Sequence, residues 1–240
     1  MKIRVLLALV FFLSGSLLTL LITSRYTINI SPRDKSSVDN SKNSLVTPAG
    51  GLSASIDYLK IKKVVLPDEG FRIRAAFGNL GPKLIEVGAI DLKKFEANFQ
   101  TDGGLTEDQK EILTKETALP IAINEKNATF MVDFFWALGL ANKNKILDEG
   151  PMVKDRTQLG NFASTGGWTL GRDKAVDLFS RYEIMKLTDD QQKMVEEVVS
   201  KVFRPCCGNP TSFPDCNHGM AALGLAEYLA SKGFPKEEIY

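Results

Sequence analysis

The segment from Ala128 to Ala141, ATFMVDFFWALGLA, is apolar on nearly every side of a helix. A helix that is apolar all round is buried among other elements, and this one is too short to cross a hydrocarbon layer of about 30 Å. The sequence therefore predicts a mostly α-helical domain built around this helix. We expect its one acid, Asp133, to lie at an exposed edge or beside a partner, in preference to being a buried acid with a raised pKa. Trp136 is expected in the core.

Charge and composition narrow the class of partner. The chain is 44% apolar and 25% charged, as globular proteins are. Its first fifty residues hold six Lys/Arg against two Asp/Glu, which leaves 24 against 27 in the rest. Because the remaining chain is mildly acidic, we expect no nucleic-acid partner. No protein partner is indicated.

The amino-terminal sequence predicts that the folded domain lies outside the cytoplasm. Lys2 and Arg4 precede an apolar run over residues 5–22, about the length that a membrane-spanning helix needs. The flanking charges favour an uncleaved anchor over residues 1–25, with the amino terminus inside and the folded domain outside. A cleaved signal peptide, which would release an exported protein, is the alternative, since Ser14 and Ser16 have the small-residue spacing of a cleavage site.

A tether and a folded domain are expected next. Residues 26–55 are rich in Ser, Asn, Lys, Pro and Gly and predict a flexible linker. The domain is expected over residues 56–240. It begins with an extended or β-hairpin segment over residues 56–76, which contains a turn at Pro67–Gly70.

Helix signals accumulate after residue 80. Thr106 and Thr188 each begin a capping box with a Gln three residues later, and Asp91 can cap a helix that ends at Asn98. Ser164–Gly167 either forms an anion-binding nest or, as we prefer, a tight turn that lets Trp168 pack inward. Predicted helices cover residues 82–88, 92–98, 106–116, 128–141, 173–180, 188–203 and 220–231.

Sulfur and imidazole groups concentrate in one loop, residues 204–220, which is expected to cap a C-terminal helix stopped by Gly233. The chain has three Cys and one His, and all four lie in this loop: Cys206, Cys207, Cys216 and His218. Met220 follows them. Four such donors suit a tetrahedral site for zinc or copper(I), with Met220 as a substitute ligand that favours copper(I). The helix dipole would favour a bound thiolate.

Other chemistries fit less well. A single His excludes sites that need two imidazoles from one chain, and neither C-x-x-C nor C-x-x-C-H is present. A disulfide from Cys206 or Cys207 to Cys216 would instead give a stapled, non-catalytic interaction domain. A redox switch that uses the adjacent cysteines is a third interpretation. Catalytic motifs were not found, so an enzyme is the less favoured class.

Two motifs carry a resemblance. The chain resembles an uncharacterised group of exported bacterial proteins. The resemblance is carried by the stretches FASTGGWTLG, LTDDQQ and RPCCGNPTSFPDCNHGMAALGL. The resemblance implies an extracytoplasmic, periplasmic type of bacterial setting. It implies no reaction and no particular ligand.

Overall fold

A computed structural model describes residues 58–240, with side chains from residue 60 onward. The predicted anchor over residues 1–25 and the linker over residues 26–55 lie outside the described residues. Within residues 58–240, no helix is both long and apolar enough to cross a membrane.

The described part of the chain is mostly helical, with one small antiparallel sheet, as predicted. Single turns of 3₁₀-helix cover Gln100–Asp102 and Pro151–Val153, and a longer one covers Arg156–Asn161. The helices are α1 Tyr58–Val65, α2 Leu80–Glu86, α3 Leu92–Asn98, α4 Glu107–Thr114, α5 Ala128–Ala141, α6 Lys145–Glu149, α7 Ala163–Gly166, α8 Ala175–Leu178, α9 Asp189–Lys201, α10 Asn217–Ser231 and α11 Lys236–Ile239, and the strands are β1 Phe71–Gly78 and β2 Thr117–Ile123.

Helices α5 and α10 form the centre of the domain. A Cβ atom on Gly139 of α5 would lie 2.1 Å from the carbonyl oxygen of Met220, and one on Gly224 of α10 would lie 2.4 Å from that of Phe135. Two glycines thus let the two backbones touch where a side chain would separate them. Helix α5 has the predicted bounds and is buried, which confirms its central role.

Aromatic rings surround this helix pair. Phe77 of β1 packs edge-on against Phe134, with ring centroids 5.3 Å apart, and Phe130 packs edge-on against Phe95 of α3 at 5.9 Å. All four rings are almost completely buried. Such contacts add to the free energy gained from apolar burial, so α3 and β1 are held on α5 by the same cluster.

The sheet corrects part of the prediction for residues 56–76. Residues 58–65 are helical, because Ile61, Val64 and Val65 follow a helical spacing; all three are exposed, so no core contact favours a strand there. Strand β1 is present but pairs with the distant β2, from Phe71 opposite Ile123 to Gly78 opposite Thr117. Strand β2 has no counterpart among the elements predicted from the sequence.

Local capping determines several helix starts. Asp91 accepts hydrogen bonds from two backbone N–H groups of α3, and both predicted capping boxes form, at Thr106 on α4 and Thr188 on α9. Helix α8 is shorter than predicted. Helix α10 begins three residues earlier than predicted because Cys216 caps it, and it ends before Gly233, whose φ is 80°.

Candidate functional site

The cysteine loop is a small hairpin. Phe203 pairs with Pro210 in an antiparallel bridge, and the backbone N–H of Arg204 donates to the carbonyl of Asn209 at 3.0 Å. Gly208 closes the tip with a φ of 70° and donates its N–H to the carbonyl of Arg204 at 2.8 Å. This turn presents the segment between Arg204 and Gly208 to solvent.

Cys206 and Cys207 occupy the exposed tip of the hairpin as free thiols. Their Sγ atoms are 3.8 Å apart, and the Cys206 thiol donates to the Cys207 sulfur. This hydrogen bond, with a smaller contribution from burial, raises the pKa of Cys206 above its ordinary value. The two thiols are thus a hydrogen-bonded pair on the surface of the domain.

Cys216 lies in a different environment, at the start of α10. Its Sγ accepts the backbone N–H of Gly219 at 3.4 Å and a guanidinium N–H of Arg204 at 2.8 Å. It therefore takes the capping role that Ser or Asp has in other helices. The two donors fix the position of this sulfur at the start of the helix.

Arg204 holds the base of the loop together. Its guanidinium pairs with Asp215 Oδ1 at 2.8 Å and donates to the carbonyl of Phe213 at 2.6 Å. Only 5% of the residue is exposed. The group lies against Gly219, where an added Cβ would be 2.6 Å from Nη1. A glycine at this position therefore lets the arginine reach Cys216.

The structure brings together some of the predicted ligands. Cys206 lies with Cys207, but Cys216 is bound to Arg204, His218 is exposed on the first turn of α10, and Met220 is fully buried in the core. Among residues 58–240, no three His, Cys, Asp or Glu side chains form a group that could hold a metal ion. Convergence of all the predicted ligands on one point stays a prediction.

The second sequence motif, FASTGGWTLG, packs against the loop. The backbone N–H of Ser164 donates to the carbonyl of Asp215 at 3.1 Å, and Phe162 packs edge-on against Phe213 at 5.7 Å. Ser164 and Thr165 are fully buried. Trp168 packs inward as predicted: it is 4% exposed, and its indole N–H donates to the carbonyl of Ala89 at 2.9 Å. The tight turn predicted at Ser164–Gly167 is instead largely part of the one-turn helix α7.

Glu227 is a buried acid that was not predicted from the sequence. It is completely buried on α10, and burial raises its pKa well above the usual value. Asn142 donates to Oε2 at 2.6 Å, and the amide of Asn144 also lies beside the carboxyl and opposes the rise in pKa. An acid within the apolar run MAALGLAEYLAS was the available signal. The network joins α10 to the chain segment after α5.

Asp133 combines parts of both sequence interpretations. Burial raises its pKa to about 6, yet it has a neighbour, since Asn98 Nδ2 donates to its Oδ2 at 3.2 Å. The residue is 9% exposed. Trp136 is partly buried and donates its indole N–H to the carbonyl of Ser164 at 2.6 Å, so it links α5 to α7.

Comparisons with known proteins give no information about the function. No protein-family model matches the chain, and neither a curated protein nor a solved structure matches it. The resemblance to exported bacterial proteins stays a prediction. The cysteine loop and its contacts are therefore the basis for a functional proposal.

Proposed function

We propose that the protein binds a soft metal ion, zinc or copper(I), at the cysteine loop. The observation that carries this proposal is the 3.8 Å separation of the Cys206 and Cys207 sulfur atoms. Two thiolates held by one zinc ion, each about 2.3 Å from it at a tetrahedral angle, are about 3.8 Å apart. The exposed pair thus already has the spacing of one edge of a tetrahedral site.

Two further ligands are Cys216 and His218. Cys216 caps α10, and His218 lies in the first turn of the same helix. His218 is exposed, so its imidazole can turn without disturbing the core. The hairpin tip would bend toward α10 to complete the set. Met220 is left out, because a thioether in the core would have to leave its packing to reach the metal.

We also propose that the domain works outside the cytoplasm, tethered by the amino-terminal segment. The apolar run over residues 5–22 and the positive charges before it support this part of the proposal. Storage, delivery and a structural role for the metal are all compatible with such a site.

Elemental analysis tests the metal proposal. The full-length protein, purified under reducing conditions, is expected to contain one zinc or copper(I) ion per chain, with its thiols protected from a thiol reagent. Cys207→Ser and His218→Ala are each expected to lower the affinity at least about ten-fold while the circular dichroism spectrum stays unchanged. Met220→Leu, a substitution of similar volume, is the matched control and should keep the affinity.

Two results would contradict the proposal. A reduced protein that binds neither zinc nor copper(I) would contradict the metal site, and one disulfide with one free thiol after removal of the reductant would identify the stapled interaction domain. A loss of affinity in Met220→Leu equal to that in His218→Ala would mean that the ligands are not those named here.

A further inference from the structure

Exposed apolar side chains concentrate at the amino-terminal end of the described domain. Ile61, Val64 and Val65 of α1 are 49%, 79% and 67% exposed, and Phe71 at the start of β1 is 50% exposed. These are four of the seven large hydrophobic side chains that are exposed among residues 60–240. Residues three and four apart lie on one side of a helix, so the first three form an apolar stripe along α1. Clustered exposed apolar side chains mark an interaction surface, whereas scattered ones need no explanation.

Positive charge surrounds this stripe. Lys60, Lys62 and Lys63 are exposed on α1, which contains no acid. With 3.6 residues per turn, Lys60 and Lys62 lie on the two sides of the stripe, where their apolar stems can follow it while the ammonium groups reach beyond it. Residues 58–74 hold five Lys/Arg against two Asp/Glu, whereas residues 75–240 hold 19 against 24. Cations are therefore concentrated at this end of a domain that is otherwise acidic.

The charge pattern and the order of the chain indicate what covers the stripe. Lys62 Nζ pairs with Glu125 at 3.0 Å, so this side of α1 meets the domain and the neighbouring stripe faces solvent. Helix α1 is the first described element after the proposed tether, whose apolar run covers residues 5–22. An apolar helix face flanked by lysines is typical of segments that lie in the headgroup region of an anionic bilayer. Because the rest of the domain is acidic, contact through any other face would be less favourable.

We propose that α1, together with Phe71, is a membrane-contact surface that lies on an anionic phospholipid bilayer and orients the domain there. Val64 and Val65 enter the boundary between headgroups and acyl chains, and the lysines bind headgroup phosphates. Each Lys near such a surface strengthens the binding about five-fold. One short helix binds a bilayer only weakly by itself, so the proposal rests on the tethering part of the proposed function. It is independent of the metal site.

Hydrogen exchange of the full-length protein in lipid nanodiscs tests this contact. One set of nanodiscs contains phosphatidylcholine alone, and the other also contains phosphatidylglycerol. The amides of α1 are expected to exchange about ten-fold or more slowly in the anionic nanodiscs, because a helix held on the bilayer by two flanking lysines opens less often. Peptides from α5 should exchange equally in both and report an unchanged fold. Raising the ionic strength to about 1 M should remove most of the difference, since the Debye length falls to about 3 Å.

Two pairs of variants separate the apolar contribution from the charged one. Val64→Ser/Val65→Ser should abolish the slower exchange in anionic nanodiscs, whereas Val176→Ser, at an exposed valine of α8, is the control and should keep it. Lys60→Gln should lower the ratio of the two exchange rates about five-fold, whereas Lys154→Gln, at an exposed lysine elsewhere, should leave it unchanged. Each variant is compared with itself in the two lipids, so a change in the intrinsic stability of α1 cancels.

Four outcomes would overturn the proposal, and they separate it from the tether. Fast exchange of α1 in both nanodiscs, by a protein that enters both, would exclude the membrane contact and leave the tether intact. Equal protection in both would mean that another part of the chain or a second copy covers the stripe. Equal effects of Val176→Ser and Val64→Ser/Val65→Ser would show that the protection is not specific to α1. A protein that enters neither type of nanodisc would contradict the tether and the contact together.

Discussion

Replacing Glu227 with Gln should make the protein more stable as the pH rises, relative to the wild type. The carboxyl is completely buried, and its pKa in the folded protein is raised well above the usual value. A raised folded pKa gives stability that is fully present below the unfolded pKa and is lost as the pH rises toward the folded one. In that interval the unfolded chain releases a proton that the folded chain keeps.

The size of the effect follows from this linkage. One proton kept by the folded state costs about 1.4 kcal/mol of unfolding free energy for each pH unit above about 4.3. Gln resembles the neutral acid in shape and can still accept the hydrogen bond that Asn142 donates. At pH 5 the variant should therefore lie within about 1 kcal/mol of the wild type. From pH 5 to pH 7 it should gain up to about 3 kcal/mol relative to it.

Urea unfolding at pH 5, 6, 7 and 8, followed by far-UV circular dichroism, measures the difference. Asp133, whose pKa is raised to about 6, also makes stability fall with pH, but it is present in both proteins and cancels in the comparison. Glu183→Gln removes an exposed carboxyl and is the matched control. Parallel stability curves for Glu227→Gln and the wild type would refute the reasoning, because they would mean that the buried group is ionised in the folded protein.

Two stability predictions concern the helices. Gly224→Ala places a Cβ 2.4 Å from the carbonyl oxygen of Phe135 and should lower the free energy of unfolding by about 3 kcal/mol. Gly160→Ala is the control and should change the free energy of unfolding little, because the nearest side-chain atom is 3.6 Å from the added Cβ. Equal losses in the two variants would exclude the close crossing of α5 and α10 as the cause. Thr188→Ala removes the cap of α9 and should cost about 1 kcal/mol in the same urea assay, whereas Thr188→Asp should keep most of the stability. An unchanged Thr188→Ala variant would show that the capping box contributes nothing.

The sequence predicted those elements whose cause is local. Helix α5 was predicted with its bounds, since an apolar run without breakers needs no distant partner to be recognised. The starts of α4 and α9 followed from capping boxes, in which side chains satisfy backbone N–H groups three residues away. Clustering of the cysteines and His218 in one loop at the start of α10 was likewise readable from spacing.

Tertiary structure alone decided the features that join distant segments. Strand β1 pairs with β2, which follows three helices later in the chain. The register of two paired strands depends on both segments together, so neither sequence segment predicts it alone. The same applies to Arg204, an ordinary charged residue in the sequence, which becomes a buried donor to Cys216 only when the hairpin folds over Gly219. Glu227 is buried because α10 packs against the chain after α5. Sequence patterns record what a residue does to its neighbours along the chain, whereas burial, charge and reactivity depend on neighbours that only folding brings near.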